Sequence, residues 1–151
     1  MKKNLLDPEA AWEMAKRIER LRPDTSPRWG KMNATEMLLH MNKVHQQLLS
    51  PAAATTKKTS LKQLLIRWLV LYVMPRYPKG AKTPSVFDTK GAAKQDVFDE
   101  QKRLFTELLQ RFAAMEEPIR HYHPYFGALS TSQWGVASWK HADHHLRQFG
   151  L

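Results

Sequence analysis

Proline and helix-capping residues divide this chain into helical segments and leave no convincing run of alternating polar and apolar residues for a strand. Asp7 followed by Pro8 is an N-cap with proline at the first helical position, and it opens a helix predicted to run to about Leu21. Ala11, Met14, Ile18 and Leu21 recur there at helical spacing. The loop Arg22-Pro23-Asp24-Thr25-Ser26-Pro27 ends it. Asn33-Ala34-Thr35-Glu36 is a capping-box pattern and starts a second helix that must stop before Pro51. A third is expected from about Ser60 to Met74, where Pro75 stops it; it is apolar nearly all round and is therefore predicted to be the most buried. Arg76 to Lys94, with Pro78, Gly80, Pro84 and Gly91, reads as a long ordered loop. The fourth helix, about Gln95 to Met115, carries Phe98, Phe105, Leu108, Leu109 and Phe112. After Pro118 and the loop His121 to Gly127, Ser130-Thr131-Ser132-Gln133 is a second capping box, and the fifth helix runs to Gly150. The reading is all-α: a helical bundle of four main helices plus one. Its 151 residues suit a single domain over residues 1–151 with a substantial core.

Composition narrows the chemistry. With no cysteine, a disulfide framework, a thiolate zinc site, an iron–sulfur cluster and a cysteine nucleophile are excluded. The chain starts basic but lacks the apolar run of a signal peptide. The most apolar stretch, Leu64 to Met74, contains Arg67 and is about half of what a bilayer span requires. A soluble, cytoplasmic protein with no membrane partner is expected.

The net charge of +10 is a local feature. No acidic residue lies between Glu36 and Asp88, and the intervening residues carry Lys43, Lys57, Lys58, Lys62, Arg67, Arg76, Lys79 and Lys82. The rest of the chain holds 16 basic and 14 acidic groups. Such a segment attracts nucleic acid, anionic lipid or an anionic small molecule, or only solvates the surface. Because the charges are spread along the segment, with only Lys57 and Lys58 adjacent, and no helix-turn-helix, zinc-finger or RNP motif is present, nucleic acid is not the expected partner.

Five of the seven histidines follow Pro118, and His141, His144 and His145 share the last helix. Residues four apart lie on one helical face, so His141 and His145 can converge on one ion, while His144 turns further toward solvent. Their lane, with Ser138 and Gln148, borders the apolar stripe of Gly135, Trp139, Ala142, Leu146 and Phe149. Polar groups beside a core must be satisfied by hydrogen bonds or a metal. The glutamate of H-E-x-x-H is missing, so this is no zinc-protease signature. A third ligand has to come from another helix, and the second offers His40 and His45. His45 lies within the apolar arc of Met37, Met41, Val44 and Leu48, whereas His40 lies at its edge. Periodicity alone slightly prefers His45.

Several segments resemble a known family. Trp29-Gly30-Lys31-Met32-Asn33 with Glu36-Met37-Leu38-Leu39-His40, Pro78-Lys79-Gly80 with Thr83-Pro84, His123-Pro124-Tyr125-Phe126-Gly127-Ala128-Leu129, Trp134-Gly135, and the closing Lys140 to Gly150 look like a DUF-type branch of the DinB-like superfamily. The resemblance spans nearly the whole chain in order, and H-x-D-H-H-L-R-Q-F-G is its most specific piece. It implies an up-down-down-up four-helix bundle with an additional helix or long ordered loop. It also implies a divalent-metal site of one histidine from the second helix and two from the C-terminal H-x-x-x-H, which are here His40, His141 and His145. Asp143, Glu36 and Gln148 are candidates to orient the imidazoles. Zinc and nickel both suit three imidazoles. By analogy with relatives, the implied function is a metal-dependent transferase or hydrolase acting on a small molecule, an anionic one being favoured by the basic segment, with a low-molecular-weight thiol as co-substrate. The alternatives are a non-catalytic metal-binding or stress-associated protein and, more weakly, a binder of anionic surfaces or nucleic acid through residues 37–87. With five tryptophans in a short bundle, an exposed apolar face and a homodimer are compatible with the composition.

Overall fold

In the computed structural model, which describes residues 3–53, 55–80, 87–92 and 95–151, five α-helices follow the proline and cap punctuation. Helix α1 spans Pro8–Glu19, and the Asp7 carboxylate accepts the Glu9 amide at 3.0 Å. Helix α2 spans Ala34–Leu49 behind a complete capping box, Glu36 N–H to Asn33 Oδ1 at 2.8 Å and Asn33 N–H to Glu36 Oε2 at 2.9 Å. Helix α3, Leu61–Trp68, runs into a π-helical turn over Leu69–Val73. A short 3-10 turn leads into α4, Phe98–Ala113, and α5 spans Thr131–Gln148 with the Ser130–Gln133 box at its start.

Helices α1, α2, α4 and α5 enclose the core. Helix α4 packs against both α1 and α2, and α1 against α5. Met14 and Ile18, Met37, Leu38 and Met41, Phe105, Leu109 and Phe112, and Ala142 and Leu146 are all buried there. Each such large apolar side chain contributes roughly 1.5–3 kcal/mol. The segment before α1 is laid across α5: the Leu5 amide donates to the Gly135 carbonyl at 3.1 Å. A Cβ on Gly135 would sit 1.8 Å from Asn4 Oδ1, so this crossing requires glycine.

Two expectations are corrected. The third helix is the least buried of the five, not the most. None of the residues of α3 is buried, and of the π turn only Leu71 is. Leu61 is 84% exposed, Leu65 63% and Trp68 56%. Its inner side combines limited packing of Ile66, Val70 and Leu71 with polar contacts: Gln63 Nε2 donates to the Pro124 carbonyl at 3.0 Å and the Arg67 guanidinium to that of Ala128 at 2.6 Å. The Lys140 ammonium, reaching from α5, caps the carbonyls of Val70 and Met74 at the end of the π turn. The second correction is the loop at 121–127, which forms a small antiparallel hairpin. Strand β1, Tyr122–His123, pairs with β2, Gly127–Ala128, in the register Tyr122 to Ala128. His123 Nδ1 accepts the amides of Tyr125 and Phe126 and closes the turn.

Of the connection expected over 76–94, residues 81–86, 93 and 94 lie outside the described residues. The part from 87 to 92 is pinned to the start of α2: the Thr89 hydroxyl donates to the Glu36 carbonyl at 2.7 Å, and the Gly91 amide donates to the Glu36 carboxylate. Among the described residues, no helix is long and apolar enough to cross a membrane.

Candidate metal centre

Three histidines from two helices converge. His40 lies in the middle of α2, and His141 and His145 lie one turn apart on α5. His141 Nε2 is 3.1 Å from His40 Nε2 and 3.1 Å from His145 Nε2. One ring nitrogen from each residue lies within 4.8 Å of the others. Two imidazoles bound tetrahedrally at ~2.0–2.1 Å place their nitrogens ~3.3 Å apart, so the spacing is that of a cluster able to hold one ion. His40 and His145 are buried, at 3% and 7% exposure, and His141 is half-buried.

Outer hydrogen bonds set the tautomers. A carbonyl only accepts, so His40 Nδ1–H donates to the Phe87 carbonyl at 2.8 Å, leaving its Nε2 as a lone pair. Gln148 Nε2 donates to the Trp29 carbonyl at 2.7 Å, which turns its Oε1 toward His145. His145 Nδ1–H then donates to that oxygen at 2.9 Å, and its Nε2 is likewise a lone pair. His141 Nε2 stands between them and can offer at most one hydrogen. At least one buried acceptor is therefore unsatisfied by protein, at a cost of about 1–3 kcal/mol, and a single cation would satisfy all three nitrogens. Gly30 makes the outer contact possible: its φ is +82°, and a Cβ there would lie 2.5 Å from Gln148 Nε2.

Electrostatics favours the neutral, ligating form. Burial lowers the pKa of His40 and drives His141 well below its usual value, with the neighbouring imidazoles adding to the effect at His141. Burial, reinforced by His40, pushes His145 down to about 3. Among the described residues no carboxylate bonds to the three rings. Asp143 is engaged by Arg17 at 2.9 Å and Arg147 at 2.8 Å, and the Glu36 carboxylate serves Asn33 and Gly91. Of the three orienting candidates read from spacing, Gln148 alone reaches an imidazole.

The other histidines take different places. His45 is fully buried on the α4 side of α2, its ring 5.7 Å from both Phe105 and Phe112, with Nδ1–H donated to the Met41 carbonyl at 2.8 Å. The preference for His45 from periodicity is thus corrected. The apolar arc of α2 points at α4, whereas the face presented to α5 carries His40, and both faces are inside. His144 sits edge-on to Trp29 at 5.7 Å, outside the cluster. Sequence reasoning did not find the Phe87 and Trp29 carbonyls, since main-chain acceptors leave no mark in side-chain patterns. Nor did it find Tyr77, whose ring lies 6.5 Å from His141 and whose hydroxyl donates to the Ala137 carbonyl at 3.2 Å.

Neither curated proteins nor solved structures matched the chain in comparison. A family model did, across residues 1–150, with the description "Protein of unknown function (DUF1569)". DUF1569 is a branch of the DinB-like superfamily, in agreement with the helical bundle and the three-histidine cluster. The chain therefore belongs to the DUF1569 family.

Proposed function

We propose that this protein binds one divalent metal ion through the Nε2 atoms of His40, His141 and His145 and uses it to act on a small molecule. The observation that carries the reading is the pair of buried Nε2 lone pairs held 3.1 Å from a third imidazole nitrogen, with their tautomers set from outside. Three protein ligands leave at least one coordination position open, as in catalytic rather than structural sites. A divalent ion so held would lower the pKa of a thiol or water and supply a nucleophile near neutral pH.

The chain's own residues supply orientation and charge. Phe87 and Trp29, the latter through Gln148, lock the ligand rings. Three neutral imidazoles cancel none of the ion's charge, so the open position favours an anionic ligand, such as a thiolate or a carboxylate. Lys79, 4.3 Å from the centre of the Trp29 ring, is a nearby cation of the same sense. The full reading is a zinc- or nickel-dependent transferase or hydrolase of the cytoplasm, with a low-molecular-weight thiol as co-substrate.

Elemental analysis of the purified protein and of His40→Ala, His45→Ala, His141→Ala and His145→Ala tests the ligand set. One metal ion per chain is expected in the wild type and in His45→Ala, and loss in the other three. Retention after His40→Ala would remove that ligand from the proposal. Conjugation of thiols to electrophiles by the metal-loaded protein separates an enzyme from a metal-binding protein without turnover.

A further inference from the structure

We propose that the outer face of α3 and its π turn is a docking surface for anionic lipid bilayers. Leu61, Leu64, Leu65, Trp68, Leu69 and Tyr72 follow the spacing i, i+3, i+4, i+7, i+8, i+11, the signature of one helical stripe, and all six are exposed. Two polar side chains of the same helix, Gln63 and Arg67, turn inward to the hairpin carbonyls, while Lys62 is exposed beside the stripe. Ile66 and Val70 pack beside them against the core and Leu71 is buried, so the exposed stripe is a second apolar face, the one turned to solvent. An apolar surface this continuous marks an interaction site.

Charge identifies the occupant. Lys57, Lys58 and Lys62 are exposed at the start of α3 and Arg76 just past the π turn, and no acidic residue occurs between Glu36 and Asp88. Among the described residues none of these four cations forms an ion pair. A second copy would bring the same cations against themselves, which opposes association, whereas anionic headgroups complement them. Leucines flanked by lysine and arginine, with Trp68 and Tyr72 as amphipathic aromatics, match a helix lying in the headgroup plane. Such a helix needs no bilayer-spanning length, so the shortness of the Leu64–Met74 run does not count against it.

The test is flotation of the full-length protein with vesicles of phosphatidylcholine alone and of phosphatidylcholine with phosphatidylglycerol at three to one. Binding to the mixed vesicles, a blue shift of tryptophan emission and release by salt are expected. Lys58→Gln with Lys62→Gln should weaken binding roughly thirtyfold. Leu65→Ser with Trp68→Ser should abolish it while circular dichroism stays unchanged, both side chains being exposed. Failure of the wild type to float with mixed vesicles would overturn the proposal, as would equal flotation of the Leu65→Ser/Trp68→Ser protein. A wild-type dimer that becomes monomeric in that variant would assign the face to a second copy instead and equally overturn it. The readout needs no metal, so it stands or falls apart from the histidine centre.

Discussion

Where α2 meets α5, imidazole nitrogens are shut away from water; along α3, leucines and a tryptophan stand in it. His40 is 3% exposed and Leu61 84%. The two regions invert the usual partition of side chains in opposite directions, and both do so with the backbone in ordinary helical geometry. Neither is explained by the stability of the chain alone. Burying unsatisfied ring nitrogens and exposing leucines each costs free energy. In the rest of the bundle the large side chains of the core, Phe105, Leu109 and Phe112 with Met37 and Met41, follow the rule, with His45 as the buried polar ring among them. The comparison thus separates residues that hold the fold from residues whose placement calls for a ligand: a cation inside, a surface outside.

The largest expected effect breaks the inner region. His141→Ala removes the nitrogen that lies 3.1 Å from each of the other two, and metal content should fall from one ion per chain to none. If elemental analysis finds the ion retained, the buried imidazoles are only a hydrogen-bonded core. Acid acts next. Burial pushes the His45 pKa down to about 4 from the ordinary 6.5. The unfolded chain therefore binds a proton between those values that the folded chain refuses, and stability is lost as pH falls through that window. The loss from this one residue is on the order of 3 kcal/mol. Chemical denaturation from pH 7 to 4 should show that decline together with those of the other buried imidazoles, and His45→Leu should make it shallower by this amount while leaving the metal in place. An unchanged pH slope in the variant would show that His45 is not the group taking up the proton.

How legible these regions were in the sequence differs for a physical reason. Helices α1, α2 and α5 start where Asp7, Asn33 and Ser130 predict because a cap is a local contact between residues two or three apart. His141 and His145 share a face by helical spacing alone. The direction of α3 was not legible from its hydropathy, since a count of apolar residues does not say which neighbour they meet. Its polar residues carried the missing signal: Gln63 and Arg67 lie four apart and select the side that meets carbonyls. Ser60 and Gln63 also form a capping box that the sequence displays. The choice of His40 over His45 lay beyond periodicity, because both faces of α2 are buried and only the partner helix distinguishes them. Resemblance to the DinB-like pattern supplied that step.

A smaller change sharpens the inner region by leaving every candidate ligand in place. Gln148→Ala cuts the link between the Trp29 carbonyl and His145 Nδ1. Loss of such an outer partner lowers metal affinity about 10–100-fold. Competition against a chelator measures it. An affinity equal to the wild type would mean that His145 is oriented by packing and not by this hydrogen bond.

The smallest effect is expected where the residue looks most like core. Leu65→Ser replaces a leucine in the middle of the apolar stripe, yet its side chain is 63% exposed and should change unfolding free energy by no more than about 0.5 kcal/mol. Leu109→Ala, the same residue type buried in α4, should cost about 2–5 kcal/mol. Urea denaturation of the two variants side by side gives the difference directly. If Leu65→Ser proved as damaging as Leu109→Ala, the face would already be covered in solution, and analytical ultracentrifugation of the wild type would have to show a dimer. If the two differ as expected, the leucines of α3 add nothing to the folded state in water, and their role begins when something binds.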